Sequence, residues 1–233
     1  MREREVLDVY NSGYAAGYEA RFLTEWRKPH TDFEIETLGR LMPAHEPWLD
    51  VACGTGYYLS QFPDAAREGL DLSPDMLARA RRANPGVTFH EGSFFEPRPE
   101  WTDRWGLVSC LGNAYVVVQT MEQIRTVIGN LARWTSPTGA CFLPLTPCDG
   151  LQGASIPYDT PALHPGRIII TGVTWTYVEE SGERHEALIA PQAQYLTEQF
   201  LRYFHEVESL VYPRLRPEWE PVQRALVARR KRT

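Results

Sequence analysis

The stretch Trp48-Leu49-Asp50-Val51-Ala52-Cys53-Gly54-Thr55-Gly56-Tyr57 constrains the fold more than any other. Apolar residues surround one acid, two glycines follow, and a helix-forming pattern begins at Tyr57. A short buried strand that breaks into a glycine turn and then a helix is the opening unit of a parallel α/β sheet. The glycines permit a tight turn and let a ligand approach backbone that a side chain would otherwise cover.

The alternation continues along the chain. Residues 3–28 read as helical, with Tyr10, Tyr14 and Tyr18 every fourth residue and so on one face. Pro29 interrupts, and 32–41 reads as a second helix. Strands are predicted over 48–53, 68–72, 87–90, 105–111 and 140–145, with helices over 57–62 and 76–83 between them. Ser73-Pro74-Asp75 opens the second of these as a capping serine followed by a first-turn proline, and Asn84-Pro85-Gly86 closes it. Residues 121–134 carry Ile124, Val127, Ile128 and Leu131 at helical spacing, and 136–139 read as a turn. Strand–helix alternation of this kind predicts parallel pairing with right-handed crossovers. After Thr146 the pattern changes. Residues 147–165 are rich in Pro, Gly and polar residues and read as a loop over the site; 168–178 and 186–189 read as strands and 193–203 as a helix. Strands at 207–211 and 222–228 then complete an antiparallel extension of the same sheet.

A chain of 233 residues with 43% apolar and 23% charged residues suits one well-packed domain. Its net charge of −6 speaks against a general binder of nucleic-acid phosphates, which needs a basic face. The run Arg229-Arg230-Lys231-Arg232 reads as a solvated terminus. No apolar run reaches the ~18 residues of a membrane span, and the N-terminus lacks the apolar core of a secretory signal. The four cysteines form no CxxC pair and read as buried thiols of a cytoplasmic protein. His30, His164 and His185 stand singly, and no His/Cys/Asp/Glu group has metal-ligand spacing, so no catalytic metal is expected.

The glycine turn has three chemical readings. A dinucleotide fingerprint needs a third glycine, but Leu59 stands there; a P-loop needs a lysine, and there is none. An S-adenosylmethionine (SAM) turn remains, with Asp50 beneath the methionine part, where a carboxylate can balance an ammonium group. Fifteen residues after Gly56, Asp71 ends the second strand, where a carboxylate can accept both ribose hydroxyls; Ser73 already supplies the helix cap. His90-Glu91-Gly92-Ser93-Phe94-Phe95 offers a small residue, a hydroxyl and an apolar face for adenine. Cys110-Leu111-Gly112-Asn113-Ala114-Tyr115 ends the fourth strand and should face the reacting methyl. Ligands of open α/β sheets lie at the carboxyl ends of the strands, so the four strand ends make one constellation.

On these residues the chain resembles the class I SAM-dependent methyltransferases. Asp50-Val51-Ala52-Cys53-Gly54-Thr55-Gly56 is similar to that family's first motif, Asp71 stands at its ribose carboxylate, and Trp134–Gly139 at its turn before the fifth strand. The likeness covers about residues 48–146. It implies a Rossmann-like seven-stranded, mostly parallel sheet with antiparallel C-terminal strands. It also implies one domain: an N-terminal helical lid over 1–45, a SAM-binding core over 46–146, and a substrate loop with the antiparallel extension over 147–233. Where the family often has glycine-aspartate, this chain has Gly92-Ser93, so adenine recognition rests on the Ser93 hydroxyl and backbone. Cys110-Leu111-Gly112-Asn113 is similar to a segment of glycine N-methyltransferases, and the N-terminal tyrosines resemble the lid of those enzymes and of sugar N,N-dimethyltransferases.

The expected SAM contacts are Tyr14, Tyr18, Asp50, Ala52, Gly54, Gly56, Asp71, Leu72, Met76, Gly92, Ser93, Phe94 and Leu111. Tyr10, Asn113 and Tyr115 are expected at the acceptor, with Tyr115 or His164 assisting proton loss. The expected reaction is methyl transfer to nitrogen or oxygen of a small molecule by in-line displacement, with a second copy of the chain able to pack on the aromatic C-terminal segment. One alternative is a SAM-binding protein of this fold that does not methylate. Another, a nucleic-acid methyltransferase, is disfavoured by the acidic balance and by Ala114 following Asn113, where an Asn-Pro-Pro-aromatic motif would need proline.

Overall fold

The computed structural model describes residues 3–146, 155–158, 166–169, 172–178, 184–215 and 223–232. Helices α1 (Glu3–Val9), α2 (Ser12–Phe22) and α3 (Lys28–Leu41) lead into β1 (Trp48–Val51), α4 (Tyr57–Ser60), β2 (Arg67–Asp71), α5 (Pro74–Ala83), β3 (Thr88–Glu91), β4 (Trp105–Ser109), α6 (Met121–Trp134) and β5 (Thr135–Pro144). Then come β6 (Ser155–Tyr158), β7 (Gly166–Ile169), β8 (Gly172–Val178), β9 (Arg184–Pro191), α7 (Ala193–Leu201), β10 (Phe204–Val211) and β11 (Arg224–Lys231). Seven strands form one sheet in the order β10-β11-β5-β4-β1-β2-β3. Strands β1 to β5 pair in parallel, whereas β11 runs antiparallel to both β5 and β10. This is the mostly parallel sheet with a reversed strand that the resemblance implies.

Strands β1 and β4 lie at the centre and are buried along their whole length, as expected of parallel strands covered on both faces. Their side chains alternate between two cores. Leu49 and Val51 face a cluster that takes Ile124, Val127, Ile128 and Leu131 from α6 and Leu196 and Phe200 from α7. Trp48 and Leu107 face the other cluster, with Leu38 from α3, Leu59 from α4 and Leu77 from α5. Helix α6 spans the residues its spacing predicts and opens with a capping box between Thr120 and Gln123. The Ser73 hydroxyl caps α5, accepting from the Met76 amide at 3.2 Å, with Pro74 in the first turn. Cys53, Cys110 and Cys141 are buried free thiols.

Five expectations are corrected. Pro29 does not interrupt a helix but sits in the first turn of α3, where the missing N–H costs nothing. The expected helix over 3–28 breaks between α1 and α2, where the Asn11 side chain caps α2 by accepting from the Gly13 and Tyr14 amides. The expected turn at 136–139 lies inside β5 as an irregularity: Thr135 pairs with Trp105 and Ala140 with Leu107. Strands β6 and β7 pair with each other, as do β8 and β9, in two separate two-stranded sheets. They cannot extend the main sheet beside β5, because β11 occupies that edge. The basic run is no free tail. Arg229, Arg230 and Lys231 end β11, paired with Glu208, Glu206 and Asp103 respectively, and Lys231 also donates to the carbonyls of Arg133 and Thr135.

Candidate functional site

The site begins where β1 stops. Ala52, Gly54 and Gly56 all take the left-handed backbone conformation, with φ of 55°, 55° and 75°, and turn the chain from strand into α4. The two glycines do different work. A Cβ on Gly54 would meet only the Tyr18 ring, at 3.9 Å, across open space. A Cβ on Gly56 would stand 2.7 Å from Asn84 Nδ2 and 3.1 Å from Ala80 Cβ. Gly56 therefore lets the turn pack on α5, and the Asn84 amide secures it by donating to the Gly56 carbonyl at 3.1 Å. Gly56 does not line the cleft described below.

Asp71, at the end of β2, is tied to this turn. Its Oδ2 accepts from the Gly54 amide and its Oδ1 from the Ser73 amide, both at 2.8 Å, while its carbonyl accepts from Gly92 at 3.0 Å. Each carboxylate oxygen keeps lone-pair capacity for a ligand hydroxyl. Burial pushes its pKa up, and amide donation from Ser73, Gly54 and Leu72 opposes that.

A cleft holding about 850 Å³ of empty space, open solvent included, lies over these strand ends. Ala52, Gly54, Asp71, Leu72 and Met76 line one side. Gly92, Ser93 and Phe94 continue it, and Leu111, Gly112, Ala114 and Val117 face them from beyond β4. The Ser93 hydroxyl accepts from the Phe95 amide at 3.1 Å, which leaves its proton to donate. Asn130 holds the Phe94 carbonyl at 2.8 Å. Helices α1 and α2 supply Glu3, Val6 and Tyr18. The Tyr18 hydroxyl lies 3.5 Å from where a Gly112 Cβ would stand, and burial, then Asp71, pushes its pKa up to about 12.

Tyr14 and Tyr18 share one face of α2, and Tyr10 packs on the same cluster from outside the helix. Tyr10 precedes α2 and lines the cleft near Leu72 and Gly92 rather than near the β4 end, its carbonyl accepting from Ser73 Oγ at 2.5 Å. Tyr14 is buried on Met76, edge-on to Tyr10 at 5.0 Å, and does not line the cleft. Nor does Asn113, in the left-handed conformation with its Oδ1 buried and unbonded. Tyr115 is turned into the core by the 3-10 turn Ala114–Val116: it is 1% exposed, and its hydroxyl accepts from the Thr146 amide at 3.0 Å. An acceptor or proton-relay role for Tyr115 is corrected to a structural one. His30 is buried with a ring nitrogen 2.9 Å from the Pro213 carbonyl. His164 and the His185 side chain lie outside the described residues.

Three groups that sequence reasoning missed gather around the turn. Glu34 is 1% exposed and accepts from the hydroxyls of Tyr58, directly beyond the turn, and Tyr212, at 2.8 Å. A signal was present: His30, Thr31, Glu34, Thr37 and Leu38 form the buried face of α3, a polar stripe at core spacing. Arg27 lies within electrostatic reach of Tyr18, Glu34 and Tyr58. Ser109 donates to Asp50 Oδ1 at 2.7 Å beneath the turn. Asp50 itself is buried below the cleft rather than lining it. Its burial pushes its pKa up to about 7; the Ser109 bond opposes this, and Asp71 and Glu34 add to it.

Two substitutions test these assignments. Gly56→Ala meets both a left-handed backbone and a crowded neighbour, so thermal denaturation should show a loss of about 2–4 kcal/mol; an unchanged midpoint would remove the packing role. The folded pKa of Asp50 is raised, so this group costs stability progressively as pH climbs from the ordinary carboxylate range through about 7. Asp50→Asn should therefore raise the melting temperature at pH 8 and leave it nearly unchanged at pH 4.5. Equal effects at both pH values would show that Asp50 is not held in its raised state.

Residues 49–139 match a family model described as a methyltransferase domain. The chain is 48% identical over 112 residues to a dTDP-3-amino-3,6-dideoxy-alpha-D-glucopyranose N,N-dimethyltransferase of Streptomyces fradiae, covering 46% of this chain and 43% of that protein. It is 31% identical over 123 residues to a dTDP-3-amino-3,4,6-trideoxy-alpha-D-glucopyranose N,N-dimethyltransferase of Streptomyces venezuelae, covering 49% and 50%. The aligned regions thus span about half the length of these curated relatives. Among solved structures, the chain is similar to a SAM-bound amino pentose methyltransferase from Micromonospora echinaspora (TM-score 0.61, 23% identity, 93% of this chain and 96% of that one). It also resembles a glycopeptide N-methyltransferase complexed with S-adenosylhomocysteine (TM-score 0.61, 16% identity, 84% and 88%). At these identities the likeness to the solved structures is one of fold. Residues 49–139 are thus similar to a methyltransferase domain, and the chain has the fold of the class I SAM-dependent methyltransferases.

Proposed function

We propose that the chain is a SAM-dependent methyltransferase that acts on an amino nitrogen of a small molecule, with amino sugars carried on a nucleotide as the substrate class. The observation that carries the SAM assignment is the Gly54–Asp71 unit. A left-handed glycine leaves its face open to the cleft, and a carboxylate held by backbone amides keeps lone pairs for two vicinal hydroxyls. Ser93 and the Phe94 face suit an adenine, and Tyr18 with nearby Arg27 suits the methionine carboxylate. The substrate class rests on the amino-sugar N,N-dimethyltransferases to which the chain is similar, while the net charge of −6 suits a small acceptor better than a nucleic acid. Oxygen as the acceptor atom has less support, since the two curated relatives described above are N,N-dimethyltransferases.

When bound, SAM supplies a methyl on a positively charged sulfur that leaves as a neutral sulfide. The residues around the cleft hold, align and dry the reactants, which is most of what an in-line displacement requires. Leu111, Ala114 and Val117 present an apolar wall beyond β4 where the methyl would be exposed to the acceptor. The acceptor amine must arrive with a free lone pair. A proton-accepting role for His164 is retained as part of this reading.

Titration calorimetry with SAM tests the assignment directly: the intact chain should bind it, and absence of heat with either SAM or S-adenosylhomocysteine would overturn the reading. Asp71→Ala should weaken binding by about 1–3 kcal/mol. Unchanged affinity would take Asp71 out of the site.

A further inference from the structure

We infer that Ser109, held by the Trp48 indole, is a positioning residue that presents Asp50 as the anionic partner of the methyl donor's amino group. The inference rests on the SAM assignment above and adds to it a hydrogen-bond chain that runs through the sheet beneath the cleft.

Trp48 Nε1 donates to Ser109 Oγ at 2.8 Å, and Ser109 Oγ donates to Asp50 Oδ1 at 2.7 Å. An indole N–H can only donate, so the serine oxygen accepts at the first bond and keeps its proton for the ionised carboxylate. One lone pair of the serine is taken, and its single proton goes to the carboxylate. Asp50 Oδ1 is therefore an acceptor, and Oδ2 is the oxygen left to titrate. The three residues sit on the two central strands, with Asp50 directly opposite Ser109 in the parallel register, and each is 0–1% exposed. Sheet geometry and burial hold the chain rigidly, in a place bulk water does not reach.

The surroundings make this one bond matter. Asp71 at the end of β2 and Glu34 on α3 both oppose a charge on Asp50. Tyr18 on α2, Cys53 in the turn and Cys110 beyond β4 also face it, and all three have raised pKa values, so they face it uncharged at neutral pH. Among the described residues, Ser109 alone favours the ionised form. Without a ligand, Asp50 exchanges its proton at about pH 7. An ammonium group arriving above the turn favours the carboxylate, so below that pH binding must expel a proton. Affinity should then fall about tenfold for each further unit. Removing the serine hydroxyl raises the Asp50 pKa and moves this break to higher pH.

S-adenosylhomocysteine is the probe, titrated by calorimetry between pH 5.5 and 7.5, where its own amino group is mostly an ammonium. The wild-type chain should level off near pH 7 and weaken about tenfold per unit below it. In Ser109→Ala the weakening should continue up to pH 7.5 without levelling. Trp48→Phe, which unlocks the serine but keeps its hydroxyl, should move the break in the same direction by less. A pH-independent wild-type affinity overturns the inference, as does a folded Ser109→Ala that levels at the wild-type pH. If Ser109→Ala does not fold, a wild-type break in Trp48→Phe overturns it instead. Failure of the wild-type chain to bind at pH 7.5 is a different result: it removes the SAM assignment and takes this inference with it.

Discussion

The bond from the Gly54 amide to the Asp71 carboxylate is the constraint on which the site depends. It joins the turn after β1 to the end of β2, and the Asp71 carbonyl carries the connection to Gly92 beyond β3. Three strand ends are thereby fixed against one residue. A charge-assisted bond of this kind is worth more than a neutral one, and it is paid in part by burying the carboxylate. The cleft walls follow from it: move Asp71, and the glycine turn, the start of α5 and the β3 loop all lose a common reference.

Three carboxylates, two of them buried, crowd that turn. Asp50, Asp71 and Glu34 each raise the electrostatic cost of the others or share neighbours that feel them. A fold selected for stability alone would replace such groups with apolar ones. Each is satisfied by a different kind of donor. Asp71 has backbone amides, Glu34 has two tyrosine hydroxyls, and Asp50 has a serine steered by an indole.

Much of this was legible in the chain because the informative residues are close in sequence to the elements that position them. The glycine turn, the Asp71 strand end, the Ser73 cap and the α6 stripe are local patterns, and the structure keeps each of them. Partnerships across long separations were not legible. Glu34 meets Tyr212 across 178 positions, and Asp50 meets Ser109 across 59, with no local sign in either case of which hydroxyl would arrive. Direction was the other blind spot. Tyr115 stands among residues that line the cleft, yet a single 3-10 turn swings it inward. Gly54 and Gly56 look equivalent in sequence, and only the approach of α5 separates a glycine that opens space from one that fills it.

Strand β11 is the one reversed member of the sheet, and it lies between β5 and β10 rather than at an edge. During synthesis, β5 is complete at Pro144, whereas its neighbour does not begin until Arg224. For the whole of that interval an edge of backbone donors and acceptors stays unpaired along the apolar residues 140–144. Such an edge is a template for pairing with another chain. The sheet thus leaves its most adhesive surface for last, and the speed with which 224–231 slides into place sets how long the growing polypeptide is exposed to its own copies.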